Sequence, residues 1–152
     1  MTTSNREKMD LLKAKFARNR EKMDLMMAEP KRFVENYLKT FDANREDLVN
    51  LYREESGMNF SGQMILGKEA IVAKLASLQQ CQQQISGIAC LPCELSGGVL
   101  ALAYGYLWLD GKPDAYLFYQ SFRLLQEPEG SYYIAQQAWL THDFNNPPPA
   151  LT

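Results

Sequence analysis

The run Val99–Leu109, Val-Leu-Ala-Leu-Ala-Tyr-Gly-Tyr-Leu-Trp-Leu, is apolar on both faces of any strand it forms. Because side chains alternate along a strand, Leu100, Leu102, Tyr104, Tyr106 and Trp108 point one way, and Val99, Ala101, Ala103, Leu107 and Leu109 the other. At about 3.3 Å per residue such a strand is roughly 36 Å long. A sheet built around it must be covered twice. Helices of the same chain can cover one face, and a second copy is the natural cover for the other. The pattern therefore predicts a homodimer through the sheet, with Tyr104, Tyr106, Trp108 and Tyr119 on the dimer face. Gly105, in the middle of the run, predicts a bend that lets the sheet curl around the helices.

Everything after Gln79 reads as strand, over about Gln83–Cys90, Gly98–Leu109, Ala115–Gln126 and Tyr132–Leu140. The links Ser96-Gly97-Gly98, Asp110-Gly111-Lys112-Pro113 and Glu127-Pro128-Glu129-Gly130 carry turn chemistry. Links this short force antiparallel neighbours. Upstream, Phe33, Val34, Tyr37, Leu38 and Phe41 follow helical spacing, and Asn44 or Asp42 can cap a short helix running to about Tyr52. Gly57 to Leu66 alternates around Gly62 as a hairpin that Gly67 closes. Lys68 to Leu78 forms another helix, expected to turn Ala70, Ile71, Lys74, Leu75 and Leu78 to the core. Helices first and a meander afterwards give an α+β fold.

The first 29 residues stand apart. Asn5-Arg6-Glu7-Lys8-Met9-Asp10-Leu11 recurs as Asn19-Arg20-Glu21-Lys22-Met23-Asp24-Leu25, a shift of two heptads, so both copies present one helix face. Its seam reads Met9, Leu12, Phe16, Met23 and Met26, with polar Asn19 at one core position. This segment is a helix packed on its own domain or on a second copy, a partner-binding helix, or a frayed end. Pro30 is expected to end it and to start the next helix. The expected organisation is a helical extension over 1–29, one domain over 30–144, and a Pro-rich tail over 145–152.

At 152 residues and 17.4 kDa the chain fits one domain plus an extension, and 46% hydrophobic with 22% charged residues is a globular composition. Sixteen basic residues against eighteen acidic ones offer no excess of cations for phosphates, which argues against a nucleic-acid binder. The longest apolar run, Val99–Leu109, falls short of the roughly 18 residues a bilayer requires. The charged start and the odd count of cysteines (Cys81, Cys90, Cys93) point to a cytosolic or nucleoplasmic chain. Asn59-Phe60-Ser61 matches a glycosylation triplet by coincidence.

Reactive groups are scarce where a curled sheet would enclose a pocket. No aspartate or glutamate occurs in Gly98–Leu109, Tyr116–Gln126 or Ser131–Thr141, and the only histidine, His142, ends the last strand beside Asp143. Acid–base chemistry needs a positioned carboxylate or imidazole, so no catalytic residue is expected. Cys90-Leu91-Pro92-Cys93 has redox spacing but falls at a strand end, and zinc would have only Cys81 and His142 to complete its ligands. Gly62 to Gly67 fails as a phosphate loop because Glu69 follows Lys68. Neither a cofactor nor a metal is expected. The interior is expected to be greasy and uncharged, a socket for another protein's side chain.

Phe60-Ser61-Gly62-Gln63, followed by Gly67-Lys68-Glu69-Ala70-Ile71-Val72-Ala73-Lys74-Leu75-Ala76-Ser77-Leu78, resembles the nuclear transport factor 2 family. Phe33-Val34-Glu35-Asn36-Tyr37 to Phe41-Asp42-Ala43-Asn44-Arg45 is similar to the family's first helix, and Glu129-Gly130-Ser131-Tyr132-Tyr133-Ile134 to its last strand. Gln82 to Ser86 resembles plant members. The resemblance implies a cone of three helices packed in a strongly curved antiparallel sheet, dimeric through the sheet. It also implies a non-enzymatic carrier for nuclear import that binds the GDP-bound GTPase Ran and the phenylalanine–glycine repeats of nucleoporins. Such a carrier works in cytoplasm and nucleus and at the nuclear pore.

By the same resemblance the partner-binding mouth and rim comprise Phe60, Ser61, Asp110, Lys112, Asp114 and Trp139. Ser61 stands where the family has glutamate. Asp110 matches one rim acid, and the other falls at Lys112 or Asp114, depending on a one-residue gap. Weaker Ran binding is the expected consequence. Two alternatives remain: a small partner subunit of an mRNA-export receptor, and an isomerase- or dehydratase-like enzyme on the same cone. The strands without carboxylates argue against the latter.

Overall fold

The computed structural model describes residues 4–78, 80–93, 97–109 and 115–142. Asp110, Lys112, Asp114, Asp143 and the Pro-rich tail lie outside the described residues. Helix α1 spans Asn5–Met26 and starts at Ser4, whose hydroxyl accepts the Glu7 N–H at 3.2 Å. It stops at Met27, whose N–H bonds back to the Met23 carbonyl, and α2 (Ala28–Ala43) follows directly. The break expected at Pro30 thus falls three residues earlier, and Pro30 sits in the first turn of α2, where its missing N–H has no helical acceptor to lose.

The apolar face of α2 buries Val34, Tyr37, Leu38 and Phe41. Asn44, not Asp42, ends the helix; its side chain takes the Glu46 N–H at 3.2 Å and opens a 3-10 helix over Arg45–Leu51. Strands β1 (Tyr52–Phe60) and β2 (Gln63–Leu66) form the expected hairpin. Its two turn residues, Ser61 (φ 48°) and Gly62 (φ 96°), both take positive φ, which suits the right-handed twist of the strands. In α3 (Lys68–Ser77) the buried residues are Ile71, Val72 and Leu75, with Leu78 just beyond. The stripe is rotated from the expected one: Val72 takes the inward place and Ala70 is exposed.

Strands β3 (Cys81–Pro92), β4 (Val99–Leu109), β5 (Ala115–Gln126) and β6 (Tyr132–His142) make the expected antiparallel meander. The six strands form one sheet in the order β2-β1-β6-β5-β4-β3. Here the structure corrects the wholly antiparallel expectation, because β1 runs parallel to β6, with Met58 opposite Gln137 and Phe60 opposite Trp139. The whole of α3 and the meander lies between these strands, so the short-link constraint does not apply to them. β1 also begins earlier than its alternation suggested, since Tyr52 pairs with Ile134 across an irregularity in register.

β4 alternates as its sequence requires. Val99, Ala101, Ala103, Leu107 and Leu109 are buried under the helices, while Leu100, Leu102, Tyr104 and Tyr106 are exposed. The register of β3 slips between Ile85 and Gly87, directly opposite Gly105. A Cβ on Gly105 would lie 2.0 Å from the Gln84 carbonyl oxygen, so the bulge that curls the sheet admits only glycine there. Gly105→Ala is therefore expected to lose about 3 kcal/mol. In thermal unfolding that is a fall in Tm of roughly 6–12 °C for a chain of this size.

Candidate functional site

Phe60 ends β1 in register with Trp139 of β6, and the next N–H, that of Ser61, donates to the Trp139 carbonyl at 3.1 Å. This pairing stacks the two rings, with centroids 5.6 Å apart and planes 30° from parallel. Phe41 of α2 meets the same indole at 5.4 Å. Two cations close the stack: the Lys74 ammonium lies 5.2 Å from the Phe60 centroid and the Arg45 guanidinium 4.5 Å from that of Phe41. Arg45 also donates to the carbonyls of Leu75 and Leu78 at 3.0 and 2.7 Å, which ties the 3-10 helix to the end of α3. Phe60 and Trp139 are only 4% and 1% exposed, whereas Ser61 stands open on the turn beside them.

Polar groups continue inward from this stack. The Gln137 amide nitrogen donates to the Tyr37 hydroxyl at 2.9 Å and to the Gln120 side-chain oxygen at 3.0 Å. The Gln137 oxygen accepts from the Tyr52 hydroxyl, and the two tyrosine hydroxyls lie 3.0 Å apart. Gln120 donates to Gln83 at 3.4 Å, and Gln83 donates to the Asp42 carboxylate at the same distance. The buried interior is mostly apolar and carries no charged side chain among the described residues, but it is not uniformly greasy as expected from the sequence. A ladder of amides and phenols crosses it, and the carboxylate that ends the ladder, Asp42, is exposed.

Burial raises the ionisation of both tyrosines above the ordinary value of 10.0, Tyr52 well above it with Tyr37 adding to the effect. Burial likewise pushes the Cys81 and Cys90 thiols up, and partial burial raises the Asp42 carboxyl. A raised thiol pKa leaves little thiolate, so neither cysteine is primed as a nucleophile. Among the described residues no group of three His, Cys, Asp or Glu side chains comes together to hold a metal, and no helix is long and apolar enough to cross a membrane.

The structure brings together Phe60, Ser61 and Trp139. Tyr104 and Tyr119 are directly opposed on the outer face of β4 and β5, and Tyr106 lies 6.2 Å from the half-buried Trp108 along the same face. Phe41, Lys74, Arg45 and the glutamine ladder were missed by sequence reasoning. Gln83, Gln120 and Gln137 lie on three different strands, and only the register aligns them.

Two outcomes follow from the buried network. Gln137→Leu strips Tyr37, Tyr52 and Gln120 of their shared partner and is expected to cost about 3 kcal/mol, read from the urea midpoint. Raised tyrosine pKa values mean that the folded state holds its phenol protons longer than the unfolded chain. Their stabilising contribution is complete below about pH 10 and is lost above it, by about 1.4 kcal/mol per pH unit for each tyrosine. Tyr52→Phe should flatten this alkaline limb in pH-dependent unfolding.

Comparison with known proteins gives concordant results. The nuclear transport factor 2 domain profile matches residues 29–139. Nuclear transport factor 2B of Arabidopsis thaliana is 46% identical over 109 residues, spanning 70% of this chain and 86% of that protein. The structure of nuclear transport factor 2 from Cryptosporidium parvum superposes with a TM-score of 0.67 at 27% identity, covering 74% of this chain and 90% of that one. The C. albicans Mtr2–Mex67 M domain complex also matches, with a TM-score of 0.63 at 18% identity over 74% of this chain and 92% of its own, a likeness of fold alone.

Proposed function

The chain belongs to the nuclear transport factor 2 family, and from that premise we propose that it is a homodimeric carrier for nuclear import that binds Ran–GDP with reduced affinity. The coarser role, a non-enzymatic transport factor acting between nucleus and cytoplasm, follows from its relatives. Contact with the phenylalanine–glycine repeats of nucleoporins, and residence at the nuclear pore, belong to the finer reading.

The observation that carries the reading is the mouth of the cone. There Phe60 is held against Trp139, and an uncharged Ser61 occupies the exposed rim beside them. In this reading the anchor is an aromatic side chain of the partner set beside this stack and ringed by charge pairs, and removing one ring charge weakens docking without abolishing it. Asp110, with Lys112 or Asp114, completes the rim in this reading. The outer sheet face supports the dimer: Leu100, Leu102, Tyr104, Tyr106, Tyr119 and Leu140 are 38 to 56% exposed, an apolar surface that a second copy would cover.

Restoring the rim charge tests the docking. In calorimetry with Ran–GDP, Ser61→Glu should bind about tenfold tighter than wild type, equivalent to about 1.4 kcal/mol, while the neutral Ser61→Gln should not. Equal affinities for all three would refute the rim assignment. Light scattering should give twice the 17.4 kDa chain mass, and Tyr104→Glu should give the monomer. A chain that is monomeric to begin with would favour the reading as a partner subunit of an export receptor.

A further inference from the structure

Helix α1 stands at the edge of the domain, and its heptads set an apolar stripe between two lines of cations, with Leu11 and Leu25 exposed outside it. Not one of its residues is buried, and only Met23 is even partly covered. Helices in proteins draw most of their stability from packing an apolar face, and α1 buries none of its own. Met9, Phe16 and Met23 alternate with Leu12, Asn19 and Met26 in a strict three–four spacing, a stripe two residues wide per heptad.

Both borders of that stripe are cationic. Arg6, Lys13 and Arg20 recur every seven residues on one side, and Lys8, Lys15 and Lys22 every seven on the other, with no acid in either line. The acids Glu7, Asp10, Glu21 and Asp24 keep to the rest of the helix surface. A chain with net charge −2 thus carries a helix with seven basic and four acidic residues, a segregation that the overall balance conceals. The stripe also opens onto a groove of about 1000 Å³, where Phe16 and Met23 face Lys31 and Glu35 of α2 and Ile88 and Leu91 of β3.

We propose that α1 is the docking site for an amphipathic helix of another protein, one whose apolar heptad stripe is bordered by acidic residues. A second α1 does not fit. Pairing in parallel sets Lys8 against Lys13 and Lys15 against Arg20, and pairing in the opposite sense sets each cationic line against itself. A lipid surface fits poorly, because the stripe is narrow and Asn19 interrupts it, whereas lipid-facing helices present a broad apolar face. A polar side chain at one core layer is tolerated between paired helices, where it sets the register.

The test uses the full chain and a synthetic three-heptad peptide with Leu at the core positions, Asn at the layer facing Asn19, and Glu at both flanks. Fluorescence anisotropy should show saturable one-to-one binding that weakens as salt rises. The triple variant Lys8→Glu/Lys15→Glu/Lys22→Glu lies on the side of α1 away from the groove, and circular dichroism should show it folded. It should bind at least tenfold more weakly, and a peptide with Lys on the matching flank should recover the loss. No binding by wild type, or equal binding by the variant, overturns the proposal. So does α1-dependent self-association, or binding to phosphatidylserine vesicles without binding to the peptide. None of these measurements involves Ran, so their outcome is separate from that of the import reading.

Discussion

The inward row of β4 must leave water, and much of the fold answers that demand. The inward row sets Ala101, Ala103 and Gly105 in succession between bulky Val99 and the pair Leu107 and Leu109, and the small residues let the helices approach the strand closely. Where the row shrinks to a single hydrogen at Gly105, the neighbouring strand bulges and the sheet bends. Bending turns a flat layer into a cone, and a cone has a mouth. The aromatic stack is likewise a consequence of packing, formed at the ends of β1 and β6 where the parallel pairing seats Phe60 on Trp139.

Inside the cone the choice of polar groups matters as much as their burial. Amides and phenols can satisfy one another without carrying charge, so Gln137, Gln120, Tyr37 and Tyr52 hold α2 and β1 against the sheet with no ion to desolvate. The same groups make poor acid–base catalysts, because burial keeps the tyrosines protonated across the physiological range. The cations Lys74 and Arg45, lying over the rings of Phe60 and Phe41, tie α3 and the 3-10 helix to the aromatic stack.

Helix α1 follows a different logic. It adds nothing buried to the cone, and its two lines of cations contrast with an acidic remainder of the chain. Its duplicated heptads organise a surface, whereas the single copy of each strand organises a core.

Much of this architecture was legible in the sequence, because it depends on short-range periodicity. The two-faced strand, the Glu127–Gly130 turn, the Ser61-Gly62 hairpin and the helical spacing of Phe33 to Phe41 each follow from residues near one another, and the structure reproduces them. The rotated stripe of α3 was not, since Ala70 and Val72 are both small apolar residues and only the neighbouring 3-10 helix and β1 select between them. Nor was the parallel seam of β1 and β6, whose partners lie some eighty residues apart, as with Phe60 and Trp139. Local chemistry determined which segments are strands, where they turn and which faces are apolar. Only the tertiary structure decided that three glutamines on separate strands meet two tyrosines, and that Phe41 and Phe60 pack on Trp139. Register across a curved sheet is set by the packing of all its strands together, and no single stretch of chain encodes it.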